Sequence, residues 1–130
     1  MKIRFVNPRI HGVLDYVAAA GLIVYPILLD LGAFSSMALW FSIAAGVGLI
    51  VYSLLTDYAF SVSNTLSFRM HLTLDVIAGV AFIAAIFLFG FEGLAAAYYA
   101  VMGLGVFALV AVTDPGLDPT TDVQVLDLAS

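Results

Sequence analysis

The sequence predicts an all-α membrane protein in which four transmembrane helices form an antiparallel bundle built from two tandem two-helix repeats. Three observations support this prediction. Of the 130 residues, 64% are hydrophobic and only 10% are charged, whereas soluble domains carry about 25% charged residues. The apolar residues fall into four stretches long enough to cross a bilayer, and short motifs of the first half of the chain recur in the second.

The first apolar segment is expected to form a helix from about residue 8 to residue 31. Asn7 is a suitable N-cap, and Pro8 fits the first helical turn, where its missing N–H removes no helical hydrogen bond. At about 1.5 Å per residue, the segment matches the roughly 30 Å hydrocarbon core of a bilayer. A turn at residues 30–36 is expected to lead into the second segment.

Three more segments are expected to be helical, at about residues 36–56, 67–90 and 94–112. Ser67 is a suitable cap for the third, and residues 90–93 are expected to form a tight turn. Continuous helices are the expected form because a backbone group without a hydrogen-bond partner is costly in lipid. Residues 1–114 would then be one transmembrane domain, followed by an acidic tail at 115–130.

The distribution of charge predicts the orientation in the membrane. Nine acidic and four basic side chains give a formal net charge of −5, but the basic ones are confined to the N-terminus and the central loop. With four spans these regions lie on one side, and basic residues favour the cytoplasmic side. We therefore expect an inner-membrane protein with both termini in the cytoplasm. The sequence has no basic patch for a nucleic acid and no cysteine.

Two shifts of the sequence against itself reveal an internal repeat. A shift of 60 residues aligns Arg9, His11 and Asp15 with Arg69, His71 and Asp75. A shift of 57 residues aligns Gly46, Gly48, Thr56 and Asp57 with Gly103, Gly105, Thr113 and Asp114. The repeats extend over about 8–57 and 68–114, and because each contains two spans, both face the same way. They predict a pseudo-twofold axis along the membrane normal.

The repeated glycine pairs and three aromatic residues are interpreted as structural. The pairs Gly46-x-Gly48 and Gly103-x-Gly105 are expected to let neighbouring helix backbones approach closely in lipid. They follow no predicted strand, which argues against a phosphate-binding loop. Three aromatic residues are interpreted as interface anchors, with a lipid or quinone pocket as the alternative: Trp40, Tyr98 and Tyr99.

The informative polar residues are expected to gather at the cytoplasmic face. His11 and Asp15 are four positions apart and therefore share one side of the first helix, as His71 and Asp75 do on the third. Helix dipoles disfavour carboxylates at the C-terminal ends of the second and fourth helices, so these are expected to pair with arginines. The predicted cluster comprises two imidazoles, two guanidiniums and four carboxylates, namely Arg9, His11, Asp15, Asp57, Arg69, His71, Asp75 and Asp114.

Three interpretations of this cluster stay open. The first is a structural clamp, in which buried charges pair and join the two hairpins. The second is a cofactor site in which His11 and His71 bind a haem or a metal ion. The third is a path for protons or ions, although the outer half of the bundle offers few polar residues to continue it.

The favoured function is non-enzymatic, namely a structural or accessory membrane protein that requires no cofactor. No serine, lysine or cysteine nucleophile lies beside a clear base, and Thr56 and Thr113 are expected to bond to backbone carbonyls. Besides membrane lipid, the expected partner is a second copy or a larger membrane complex, because surfaces rich in glycine and alanine suit lateral association.

The sequence resembles the small bacterial membrane proteins with the SPW repeat. The His-x-x-x-Asp starts and Thr-Asp ends of its repeats are similar to relatives in that group, and the resemblance covers most of residues 8–116. At the places of the Ser-Pro-Trp motif this chain has Tyr25-Pro26-Ile27 and Ala85-Ile86-Phe87. The resemblance implies a fold of two-helix repeats and implies no established biochemical activity.

Overall fold

The computed structural model describes residues 3–56 and 62–116, which form five helices. They are α1 (Pro8–Leu28), α2 (Leu31–Phe34), α3 (Ser36–Leu54), α4 (Phe68–Leu88) and α5 (Gly93–Val112). All except the four-residue α2 are long and apolar enough to cross a membrane. The structure thus confirms the helical class and four helices that are long and apolar enough to span a membrane. It corrects the first turn, which contains α2.

Side-chain caps fix where α1 and α4 begin. Asn7 Oδ1 accepts a hydrogen bond from the backbone N–H of Ile10 at 2.8 Å, and Pro8 occupies the first turn of α1. Ser67 Oγ caps α4 in the same way, 3.1 Å from the N–H of Met70. Both predicted caps are confirmed. Each is followed four residues later by a histidine, so the caps also set the depth at which the two imidazoles lie.

Close helix packing lies mainly within each hairpin, where α1 packs against α3 and α4 packs against α5. A Cβ at Gly46 would lie 2.9 Å from the carbonyl oxygen of Ala19. A Cβ at Gly103 would lie 2.8 Å from Ile83 Cδ1 and 3.2 Å from the carbonyl oxygen of Gly79. The first glycine of each pair therefore lies where two helices approach most closely.

The second glycine of each pair, Gly48 or Gly105, lines a cavity of about 450 Å³ between the two hairpins. A Cβ at either position would meet nothing within 4 Å, so the predicted packing role needs correction at these two glycines. All four long helices contribute to the wall of the cavity. The wall is apolar except where Asp15, Tyr52 and Asp75 lie.

Tyr98 and Tyr99 belong to the core rather than to the membrane interface. Tyr99 is fully buried, and its hydroxyl donates to the carbonyl of Ala38 at 2.7 Å. The Tyr98 hydroxyl lies 2.7 Å from Ser42 Oγ, which itself donates to the carbonyl of Leu22. The anchor role predicted for both tyrosines is wrong, because a phenol is readily buried where its hydroxyl finds a partner.

Candidate functional site

Four ionisable side chains meet near the N-terminal ends of α1 and α4. His11 and Asp15 lie one turn apart on α1, and His71 and Asp75 occupy the same places on α4. Each of the four residues is at most 3% exposed. We refer to these residues as the His–Asp cluster. Ionisable groups inside a membrane segment are costly unless they pair with one another, so their contacts decide what the site can do.

Each histidine of the His–Asp cluster has its shortest carboxylate contact with the other hairpin. His11 Nε2 lies 2.9 Å from Asp75 Oδ2 and 3.2 Å from Asp15 Oδ1. His71 Nε2 lies 2.9 Å from Asp15 Oδ2 and 3.4 Å from Asp75 Oδ2. Both Nε2 atoms therefore lie within 3.4 Å of both carboxylates, and the pattern joins α1 to α4.

The opposite ring nitrogens contact two threonines at the C-terminal ends of α3 and α5. His11 Nδ1 lies 2.8 Å from Thr113 Oγ1, and His71 Nδ1 lies 2.8 Å from Thr56 Oγ1. Each threonine hydroxyl donates its hydrogen to a backbone carbonyl of its own helix, as the sequence predicted. A hydroxyl has only one hydrogen, so each Oγ1 accepts from the imidazole and each Nδ1 carries a hydrogen.

The chemistry of the site is therefore concentrated at the two Nε2 atoms. Carboxylate oxygens only accept hydrogen bonds, so an Nε2 that carries a hydrogen donates to them. An Nε2 without a hydrogen instead presents a lone pair at the same point. Tyr52 adds a further contact, because its hydroxyl donates to Asp75 Oδ1 at 2.7 Å. That bond orients the carboxylate and leaves its Oδ2 directed at the imidazoles.

Backbone hydrogen bonds close the cluster at the ends of the helices. The N–H of Val6 donates to the carbonyl of Val112 at 3.0 Å, and the N–H of Asp114 donates to the carbonyl of Val6 at 2.8 Å. At the equivalent place between the end of α3 and the start of α4, the N–H of Leu66 donates to the carbonyl of Leu55 at 2.8 Å. These bonds fix the C-terminal ends of α3 and α5, and with them the two threonines that contact the imidazoles.

The outer members of the predicted cluster do not join it in the described part of the chain. Arg9 and Arg69 are exposed, and every ion pair found there is between a histidine and an aspartate. Asp114 is half-buried and its Oδ1 accepts from the N–H of Gly116 at 2.9 Å. Asp57 lies outside the described residues. The correction has an electrostatic reason: two imidazoles already match two carboxylates, and a guanidinium is better solvated at the surface.

Two kinds of contact with the cluster were not predicted from the sequence. One is made by the two threonines, and the other is made by Tyr52. The threonines carried a usable signal, because Thr56 and Thr113 recur at the same place in the two repeats. Tyr52 carried none, since the position aligned with it in the second repeat is Leu109. The contacts of Tyr52 depend on the packing of α3 against α4, which the sequence does not specify.

Replacing Thr113 with valine is expected to lower the free energy of unfolding by about 1–3 kcal/mol, because it leaves the buried Nδ1–H of His11 without its acceptor. Thr113→Ser keeps the hydroxyl and serves as the matched control, with a much smaller expected loss. Equilibrium unfolding in mixed micelles would measure both. Equal losses in the two variants would show that the threonine acts through its methyl group rather than through this hydrogen bond.

The arrangement is also compatible with a metal ion. One ligand atom from each member of the His–Asp cluster lies within 4.8 Å of the other three.

No protein-family model, curated protein or solved structure matches this chain. The resemblance to the SPW-repeat proteins therefore stays a prediction, and the site has to be interpreted from its own geometry.

Proposed function

We propose that this is a non-enzymatic structural or accessory protein of the inner membrane, in which the His–Asp cluster clamps two hairpins into one rigid unit. That unit then packs laterally against a second copy or a larger membrane partner. The observation that carries the proposal is the crossed pairing of the cluster: the shortest carboxylate contact of each histidine lies on the other hairpin.

The contacts between the hairpins are reciprocal, which supports an antiparallel bundle with a pseudo-twofold axis. His11 contacts Asp75 and Thr113 of the second hairpin, and His71 contacts the aligned Asp15 and Thr56 of the first. In a twofold-symmetric interface the same surface patch is used by both partners. The pattern is thus what a duplicated hairpin that pairs with itself would produce.

A clamp matters here because the cavity separates the hairpins over part of their length. Association in lipid gains little from apolar contact, since lipid tails are as apolar as leucine. Buried charges near one end, together with the buried hydroxyls of Tyr98 and Tyr99 that contact α3, then distinguish this pairing from others. The exposed Arg9 and Arg69 flank the cluster and favour the cytoplasmic side for this end of the molecule.

The outer surface is the part of the protein that would meet a partner. Large apolar side chains remain exposed on every long helix, among them Val17 on α1, Trp40 on α3, Ile77 on α4 and Leu104 on α5. In a bilayer this surface contacts lipid or another membrane protein. A rigid unit loses less conformational freedom on association than two loosely paired hairpins do, which links the clamp to the proposed role.

The test is the mass of the protein component in native-lipid particles, measured by light scattering after extraction without detergent. We expect wild-type protein to form assemblies of at least two chains. Asp75→Ala should lose them, because it breaks the clamp, whereas Arg69→Ala, on the same helix but exposed, should retain them. A wild-type protein that is extracted as a single chain with no other protein would contradict the proposed function.

A further inference from the structure

We propose that the His–Asp cluster binds one divalent transition-metal ion, with Zn²⁺ as the best-matched example. The ligands would be Nε2 of His11 and His71 and one carboxylate oxygen each from Asp15 and Asp75. The proposal rests on the pairing of the hairpins proposed above, because each hairpin alone supplies only half of the ligands.

The first support is the spacing of the ligand atoms. Asp75 Oδ2 lies 2.9 Å from His11 Nε2 and 3.4 Å from His71 Nε2. Asp15 approaches His11 Nε2 through Oδ1 at 3.2 Å and His71 Nε2 through Oδ2 at 2.9 Å. One ligand atom from each of the four side chains lies within 4.8 Å of the other three. In a tetrahedral zinc site, ligand atoms about 2.0–2.2 Å from the ion lie roughly 3.3–3.6 Å from one another. Small side-chain movements would therefore convert the observed contacts into a coordination shell.

The second support is the chemistry around the imidazoles. Metal-binding histidines usually donate their other ring N–H to an oxygen, which fixes the ring and directs a lone pair at the ion. Thr113 and Thr56 accept from the Nδ1 atoms of His11 and His71 in that way. The Tyr52 hydroxyl similarly orients Asp75 through Oδ1. These contacts supply the outer shell that a metal site needs, and the same acceptors satisfy the imidazole N–H groups when no ion is bound.

The third support is the balance of charge. A divalent ion bound by two neutral imidazoles and two carboxylates gives a site with no net charge, which suits a region inside the membrane. Imidazole nitrogen and carboxylate oxygen together favour borderline ions such as Zn²⁺. A haem fits less well, because carboxylate oxygens occupy the space between the two Nε2 atoms that a porphyrin would need.

The cavity gives the site an open side. Asp15 and Asp75 are part of both the His–Asp cluster and the cavity wall. An ion bound there would thus be shielded by α1 and α4 on the ring side and would face an apolar space on the carboxylate side. The inference is confined to the ion itself, and it assigns no reaction to it.

The experiment uses the purified full-length protein after treatment with a chelator. Titration with Zn²⁺ followed by gel filtration should leave about one ion per chain, as a four-ligand structural site requires. Co²⁺ in place of Zn²⁺ should give the intense visible absorption of a tetrahedral complex. A folded wild-type protein that retains no Zn²⁺, or a Co²⁺ spectrum of the six-coordinate aqueous type, would overturn the proposal.

Two variants test whether the His–Asp cluster supplies the ligands. Asp15→Asn removes an anionic ligand, and its retention of Zn²⁺ should fall at least about tenfold, in line with the losses seen when metal-site residues are changed. Asp114→Asn is the matched control, since Asp114 lies outside the cluster, and it should bind like wild type. Equal binding by the two variants would overturn the assignment. The wild-type Co²⁺ spectrum decides the matter if Asp15→Asn does not fold.

The metal proposal and the proposed function fail in different ways. If the chelator-treated protein forms assemblies but retains no Zn²⁺, the result supports the proposed function and contradicts the metal site. If the protein is a single chain that retains one Zn²⁺, the result supports the metal site and contradicts the proposed lateral association. The two measurements are made on the same chelator-treated sample, so the outcomes are directly comparable.

Discussion

Asp75→Ala is expected to lower the free energy of unfolding by about 3–5 kcal/mol, because removing one partner of a buried ion pair leaves uncompensated charge in the membrane interior. Asp75 is the acceptor for His11 Nε2 at 2.9 Å and for the Tyr52 hydroxyl at 2.7 Å. Its loss thus affects both hairpins at once. Equilibrium unfolding in mixed micelles, with a chelator present, would measure the effect without a contribution from metal.

Two controls separate the clamp from unspecific damage. Arg69→Ala removes an exposed charge from the same helix and is expected to change the free energy of unfolding by no more than about 0.5 kcal/mol. Replacing the whole His–Asp cluster by leucines should give a protein nearer to wild type than Asp75→Ala, because buried ion networks can be replaced by apolar packing. A loss in Asp75→Ala as small as that in Arg69→Ala would refute the clamp.

Gly46→Ala is expected to lower the free energy of unfolding by about 1–3 kcal/mol, because the new Cβ would lie 2.9 Å from the carbonyl oxygen of Ala19. The contact is with backbone, so α1 itself has to move away. Gly48→Ala is the matched control two residues further along the same helix. Its Cβ meets nothing within 4 Å, and it should be neutral or stabilise the protein by about 0.5–1 kcal/mol through helix propensity.

The second hairpin provides an independent version of this comparison. Gly103→Ala should be more destabilising than Gly105→Ala, yet milder than Gly46→Ala, since its Cβ would lie 3.2 Å from the nearest backbone oxygen rather than 2.9 Å. Equal effects at the first and second glycine of a pair would show that the packing differs from that in the structure. Thermal unfolding of all four variants in one detergent is sufficient to rank them.

The helices could be predicted because the interactions that determine them are either local in the sequence or depend only on the surrounding solvent. Apolar stretches of about 20 residues have few alternatives to a helix in lipid. The caps Asn7 and Ser67 act within one turn. The inner half of the cluster followed from spacing, because residues four apart share a helix face. That rule placed His11 beside Asp15, and their observed contact is 3.2 Å.

The remaining features depend on which face of a helix meets which neighbour, and composition does not contain that information. Residues two apart on a helix point in nearly opposite directions, so Gly46 and Gly48 cannot both face one partner helix. A similar ambiguity affected Tyr99, because hydropathy does not distinguish a tyrosine at the lipid interface from one in the core. Arg9 and Arg69 were expected in the cluster from their depth and as partners of the carboxylates at the helix C-termini, but both are exposed.

The cluster contacts join residues that are far apart in the sequence, and this has a consequence for the synthesis of the protein. His11 and Thr113 are separated by 102 positions in the chain, which corresponds to about 5–20 s of synthesis at roughly 5–20 residues per second. Asp75 follows His11 by 64 positions, so until α4 and then α5 have been made, His11 lacks its partners on the second hairpin. His11 and Asp15, 3.2 Å apart on one helix, can satisfy each other in the meantime. We expect this intrahelical pair to limit the cost of the buried charges in the nascent chain, until α4 and α5 add the shorter crossed contacts of the finished protein.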